Sequence, residues 1–240
     1  HEMFLLSGKV QFNNLENNFP FTGYEVKKID ADFSSDTLLI PYNNFPFGTA
    51  RLSFNKNSNL VYVSALQANE PGNEATKVFY CCLRSDSLQT IHCTSQLIPD
   101  SLISKIRSAN SSRINIGFEN FVPIKILMQA DSGLMMICES QLVNTESSTQ
   151  PAFSGFGMTA SSLTITYYHY NEMAMFQFNS NGEIISSNVM IKKQQTENDD
   201  GYYSNFCNMI LPDKIELLYN DMVGTQTNVN EFQLTSNGNF

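Results

Sequence analysis

Residues 163–221 read LTITYYHYNEMAMFQFNSNGEIISSNVMIKKQQTENDDGYYSNFCNMILPDKIELLYND. Within them, 164–170 and 173–178 are dense in Tyr, Phe and Thr with apolar residues at alternate positions, and Ser180-Asn181-Gly182 interrupts the pattern before Ile184 and Ile185 resume it. Asn-Gly between two alternating runs is a β-hairpin signal, because both central residues of a type I′ turn need positive φ, which Asn tolerates and Gly accepts freely. A second turn is expected at Asn198-Asp199-Asp200-Gly201 and a third strand over 214–219, closing on Asn220-Asp221. Strands alternating with polar turns over this length predict one antiparallel meander.

The same alternation extends outward. Strands are expected over 3–12, with a break at Ser7-Gly8, and over 49–54 and 60–66 around the polar turn 55–59. Further strands are expected over 78–83, over 121–129 and 134–140 around Asp131-Ser132-Gly133, and over 229–234. Residues 13–18 form a polar loop, and Phe19-Pro20 and Phe45-Pro46 lie in the similar settings NNFPFTG and NNFPFGT. Residues 99–109, PDSLISKIRSA, are the one helix: Asp100 or Ser101 caps it, and Leu102, Ile103 and Ile106 share a face. Residues 144–162, rich in Ser and Thr and containing Gly, read as a surface loop.

Two segments repeat. Residues 57–65, NSNLVYVSA, match 131–139, DSGLMMICE, and each precedes a hairpin, VFYCCLRSDSLQTIHCT over 78–94 and MAMFQFNSNGEIISSNV over 173–189. A third copy starts at 213–218, DKIELL, and continues into EFQLTSNGNF at 231–240. The spacing of Leu60 and Leu134 exceeds the roughly 40–50 residues of compact propeller repeats, so the units need inserted loops. Repeated four-stranded meanders that cannot bury both faces alone are the material of a β-propeller. The expected fold class is therefore all-β, with propeller-like repeats of antiparallel four-stranded meanders and one short helix. A single domain over 1–240 is expected, and since the first residue is His1, it is expected to belong to a longer chain.

The succession of the Tyr-rich strand YYHYNEMAMFQFN, the hairpin SNGEI, the run KKQQTENDDGYYSNF and the ending IELLYND resembles a family of secreted β-propeller-like proteins of Bacteroidota with no assigned chemistry. The likeness covers roughly residues 121–227, with a looser echo at 60–97. The chain departs from that pattern in Cys207 and Asn208 after YYSNF, and in Asn181 where the family usually has Asp. The resemblance implies an extracytoplasmic propeller.

Hydrophobic residues make up 42% of the chain and charged residues 15%, so Asn, Ser, Thr and Gln carry much of the surface, which suits sheet edges and turns. The net charge of −9 and pI near 4.7 disfavour nucleic acid and anionic lipid as partners. The densest basic pair, Lys192-Lys193, is followed closely by Glu197, Asp199 and Asp200. No apolar run reaches the ~18 residues of a membrane span. Cys81, Cys82, Cys93, Cys138 and Cys207 show no CxxC spacing and read as small buried hydrophobes. Neighbours on a strand face opposite ways, so Cys81 and Cys82 do not pair with each other, while a bridge from Cys93 to one of them stays open.

No motif carries chemistry. His92 and His169 lie in expected strands without the three or four convergent ligands of a metal site. The acidic run at 197–201 lacks the bidentate Glu of a calcium loop, since the sixth residue after Gly201 is Cys207. Ser154-Gly155-Phe156-Gly157 is no nucleophile elbow. No metal, cofactor or catalytic residue is expected. The chain has no Trp, which leaves Tyr167, Tyr168, Tyr170, Tyr202 and Tyr203 as sugar-stacking platforms, against the plainer reading of cross-strand packing. Phe153, Phe156 and Met158, set among Gly and Ser, are candidate anchors for a protein partner, or else a cover over an open sheet edge. The function expected is a non-catalytic, extracytoplasmic binding or scaffolding module in a cell-envelope assembly of secretion or surface machinery, with a carbohydrate-binding or carbohydrate-active propeller using paired carboxylates as the alternative.

Overall fold

The computed structural model describes residues 3–10, 21–41, 47–68, 74–109, 118, 120–129, 133–154, 157–211, 214–223 and 226–235. Among the described residues the fold is all-β with antiparallel sheets and one short helix. It divides into two compact units, the first built from 1–139 and 174–189, the second from 140–173 and 190–240. No helix among the described residues is long and apolar enough to cross a membrane.

Unit 1 begins with a sheet of β1 (Met3–Val10), β2 (Phe21–Ile29) and β3 (Ser35–Pro41) in sequential order. Next comes the four-stranded meander β4 (Phe47–Asn55), β5 (Leu60–Ala68), β6 (Ala75–Arg84) and β7 (Thr90–Leu97). Strands β5 and β6 read as almost unbroken apolar runs because both of their faces are buried. One face sends Val61, Val63, Phe79, Cys81 and Leu83 against Tyr24, Val26 and Ile40 of the first sheet. The opposite face sends Tyr62, Leu66, Val78, Tyr80 and Cys82 into a second core.

That second core is closed by α1 (Asp100–Ala109) and by the next sheet. The helix starts where Pro99, unable to donate, accepts from Leu102 N at 2.9 Å, and it buries Leu102 and Ile106. Strands β8 (Phe121–Met128), β9 (Leu134–Ser154), β10 (Gly157–Phe178) and β11 (Ile184–Met190) form the sheet, again in sequential order. Leu134, Met136 and Cys138 of β9 and Ala174, Phe176 and Phe178 of β10 face the core. Arg51 Nε donates to the Pro123 carbonyl at 2.7 Å and ties β4 to β8. None of these sheets closes on itself.

The β10–β11 hairpin turns at the expected Asn-Gly, with a different turn type. Gly182 alone takes positive φ, at 81°, and Asn181 does not. Gly182 N donates to the Asn179 carbonyl at 3.0 Å, while Asn179 Oδ1 accepts from Asn181 N and Glu183 N. A side-chain acceptor at 179 thus does the work that a second left-handed residue does in a type I′ turn. The tip rests on β6 and β7: a Cβ at 182 would lie 2.5 Å from Tyr80 Cδ1, and Gln96 receives Ile184 N at 3.0 Å and donates to the Gly182 carbonyl.

Three expectations are corrected. Residues 144–162 are not a loop: their described part forms the ends of β9 and β10. The composition misleads because side chains 143–149 and 162–164 are exposed on both faces, so no apolar alternation marks the strands. Cross-strand hydroxyl pairs, Thr145 with Thr166 at 3.3 Å and Ser147 with Thr164 at 3.2 Å, hold them in register. Nor are residues 163–221 one meander. After β12 (Gln195–Glu197), which pairs with β10, the chain enters a separate sheet in unit 2, β13 (Phe206–Ile210), β14 (Lys214–Val223) and β15 (Gln226–Thr235).

Cysteine usage is the third. Cys81 and Cys93, directly opposite on β6 and β7 with Cα atoms 4.2 Å apart, form a disulfide. Cys207 is exposed, whereas Cys82 and Cys138 are buried. Burial pushes both buried thiols up, so they stay protonated and inert. The polar stretch 13–18, both Phe-Pro pairs apart from the backbone of Phe47 onward, and Asn237-Gly238 lie outside the described residues.

Candidate functional site

The tyrosines of unit 2 converge on one turn. Strand β12 lies along β10 with Tyr167 opposite Glu197, Tyr168 opposite Thr196 and His169 opposite Gln195. The pairing is extended by Tyr170 N donating to the Gln194 carbonyl at 3.1 Å and Asn198 N donating to the Thr166 carbonyl at 2.9 Å. The chain then reverses through Asn198, Asp200 and Gly201, with φ of 54°, 55° and 72°. Asn, Asp and Gly are the residues that tolerate the left-handed region.

Asp199 organises this turn. Its Oδ1 accepts from Thr196 Oγ1 at 2.6 Å and Gly201 N at 3.0 Å, and its Oδ2 accepts from Tyr203 N at 3.0 Å. Tyr168 Oη donates to Asp200 Oδ1 at 3.0 Å. A Cβ at position 201 would sit 2.5 Å from Tyr170 Oη, so Gly201 is required both by its φ and by the tyrosine against it. Beneath the turn Lys192 is buried, its Nζ donating to the Tyr170 carbonyl at 3.3 Å and to Gln194 Oε1.

The five tyrosines therefore have different jobs. Tyr168 and Tyr170 share a strand face and buttress the turn, while Tyr167 stacks with His169 at a centroid distance of 6.4 Å. Tyr202 and Tyr203 point outward, 79% and 66% exposed, with ring centroids 5.3 Å apart and planes at 85°. No protein-family model, curated protein or solved structure matches this chain.

Electrostatically the turn is an acidic, self-satisfied loop. Desolvation is the largest single influence on Asp199 and acts upward, but the bonds from Thr196, Tyr203 and Gly201 together outweigh it and hold the carboxyl below its usual range. The hydrogen bond to Asp200, followed by desolvation and the neighbouring carboxylates, raises the Tyr168 phenol. A depressed folded pKa means that Asp199 contributes stability above the ordinary carboxylate pKa, and this contribution is lost as pH falls through the lower folded value. Asp199→Ala is expected to lower stability by about 1 kcal/mol after allowance for solvent screening, and to flatten the acid limb of a stability-versus-pH curve. An unchanged acid limb in urea titrations from pH 2 to 6 would show that Asp199 does not hold the turn.

Among the described residues, no group of three or more His, Cys, Asp or Glu is placed to hold a metal ion. His92 lies exposed on β7 opposite Cys82, and His169 lies on β10 beside Tyr167. Of the candidate protein anchors, Phe153 lies on the β9 backbone and Met158 on the β10 backbone, and Phe156 lies outside the described residues. Sequence reasoning missed Asp199 as the organiser, although an Asp two residues before a Gly in a polar turn is the signal of a side-chain-capped bend.

Proposed function

We propose that the chain is a non-catalytic binding module of a propeller-like β protein, working outside the cytoplasm, and that the β9–β10 arm holds a protein partner in a cell-envelope assembly. The arm carries the reading. Strand β8 has eight residues against the 21 of β9, so it cannot accompany β9 to its end, and β12 with its flanking residues pairs with β10 no further out than Thr166. A two-stranded ribbon with both faces in water is marginally stable by itself. Val143 and Leu163, 52% and 51% exposed on that ribbon, desolvate when a partner covers a face or adds a strand.

The propeller part of the reading is supported by two successive meanders, β4–β7 and β8–β11, of the same strand order and built on the matching segments 57–94 and 131–189. The Cys81–Cys93 disulfide supports an oxidising compartment. Anionic partners such as nucleic acid are disfavoured by the net charge of −9. Replacing residues 144–162 by Asn-Gly is expected to leave the melting temperature of unit 1 unchanged and to release a partner that the full chain captures from envelope fractions. If the shortened chain unfolds, or captures the same partner equally well, the arm is not the interface.

A further inference from the structure

We propose that the turn over residues 198–204 is a carbohydrate-binding site, in which the corner made by Tyr202 and Tyr203 receives a neutral sugar ring. The turn leans on β10 at Thr166–Tyr170 and uses none of the arm residues 144–162. Two phenol rings 5.3 Å apart at 85° meet edge to face, and at 79% and 66% exposed they leave ring surface open for a sugar to pack on. The apolar C–H face of a pyranose packs on an aromatic floor, and the phenol hydroxyls remain available to its rim.

The corner is held before any ligand arrives. Asp199 fixes three donors of the turn, Tyr168 holds Asp200, and Gly201 is seated against the Tyr170 hydroxyl. A preformed turn avoids the ordering cost that a flexible loop meets on binding. Exposed tyrosines contribute little to a core, so their outward placement on so constrained a backbone points to a ligand. The surrounding groups select its chemistry. The charged side chains within 195–204 are Glu197, Asp199 and Asp200, all acidic. Glu197 and Asp200 are exposed, so their carboxylates accept hydrogen bonds from sugar hydroxyls and repel anionic ligands. Stacking of nucleic-acid bases on the same rings would need a basic groove, which this turn lacks.

The test is affinity electrophoresis of the full chain in gels cast with soluble mannan, xylan or mixed-linkage glucan, with polygalacturonate as the anionic comparison, followed by calorimetry on the best neutral probe. At least one neutral polysaccharide is expected to retard the chain. Tyr202→Ala and Tyr203→Ala are each expected to weaken binding about tenfold or more, the loss of one stacked ring, while Tyr202→Phe keeps most of it. Thermal melts of the three variants should match the parent, because both rings are exposed. Retardation by none of the neutral probes, by polygalacturonate alone, or equally in the alanine variants would overturn the proposal. So would a protein partner lost in Tyr202→Ala while no glycan binds. Loss of the arm's partner on shortening 144–162 leaves this outcome unaffected, which separates the two readings.

Discussion

Gly182→Val is expected to destabilise unit 1 by about 3–5 kcal/mol, from the strain of a β-branched residue in the left-handed region together with overpacking against a fixed ring. Both sources are on the structure: φ is 81°, and a Cβ would meet Tyr80 Cδ1 at 2.5 Å, Tyr80 Cε1 at 2.7 Å and Thr94 Cγ2 at 3.0 Å. Tyr80 cannot retreat, since it is fully buried between Tyr62 and Phe178, with centroids 6.1 and 5.4 Å away. Urea unfolding of Gly182→Ala in parent and Tyr80→Leu backgrounds separates the two contributions, because only the clash is relieved by the smaller neighbour. A parent-like midpoint for Gly182→Val would mean that the hairpin tip does not rest on β6.

Phe176→Ala is expected to cost about 3–5 kcal/mol, the range for removing a large aromatic side chain from a core that cannot collapse around the gap. Phe176 is fully buried, stands 6.0 Å from the ring of Phe118, and belongs to the cluster with Leu102 and Ile106 of α1. Ile185→Ala on the edge strand β11, where the side chain is 54% exposed, is the matched control and should change stability by no more than about 0.5 kcal/mol. Comparable losses for the two variants in chemical denaturation would place the core elsewhere.

Strand positions were legible in β5 and β6, where both faces are buried, but not in β2, although Tyr24 and Val26 are buried on one of its faces. The runs over 60–66 and 78–83 read as strands because Val61 and Tyr62, or Cys81 and Cys82, enter cores on opposite sides of one sheet. The helix was legible from Pro99 and the Leu102–Ile106 spacing, since a short amphipathic helix announces its start and its buried stripe locally. The hairpin at Gly182 was legible for the same local reason, although its turn type was not: Asn179 supplies an acceptor from outside the Asn-Gly pair.

The arm was illegible because Thr145, Ser147, Thr164 and Thr166 form strands with no buried face, and hydrophobic periodicity reports burial rather than extension. The five tyrosines carried their residue type and nothing of their roles. Tyr168 and Tyr170 lie against the turn, and Tyr202 and Tyr203 stand away from it in solvent, because Asp199 folds the intervening chain back onto β10. Composition, alternation and turn residues therefore determined that this is an antiparallel β protein with one helix and an Asn-Gly hairpin. Which strands share a sheet, which cysteines meet and which tyrosines face the solvent were decided by the tertiary structure, because each depends on pairing between residues far apart in the chain, and local pattern holds no record of that partner.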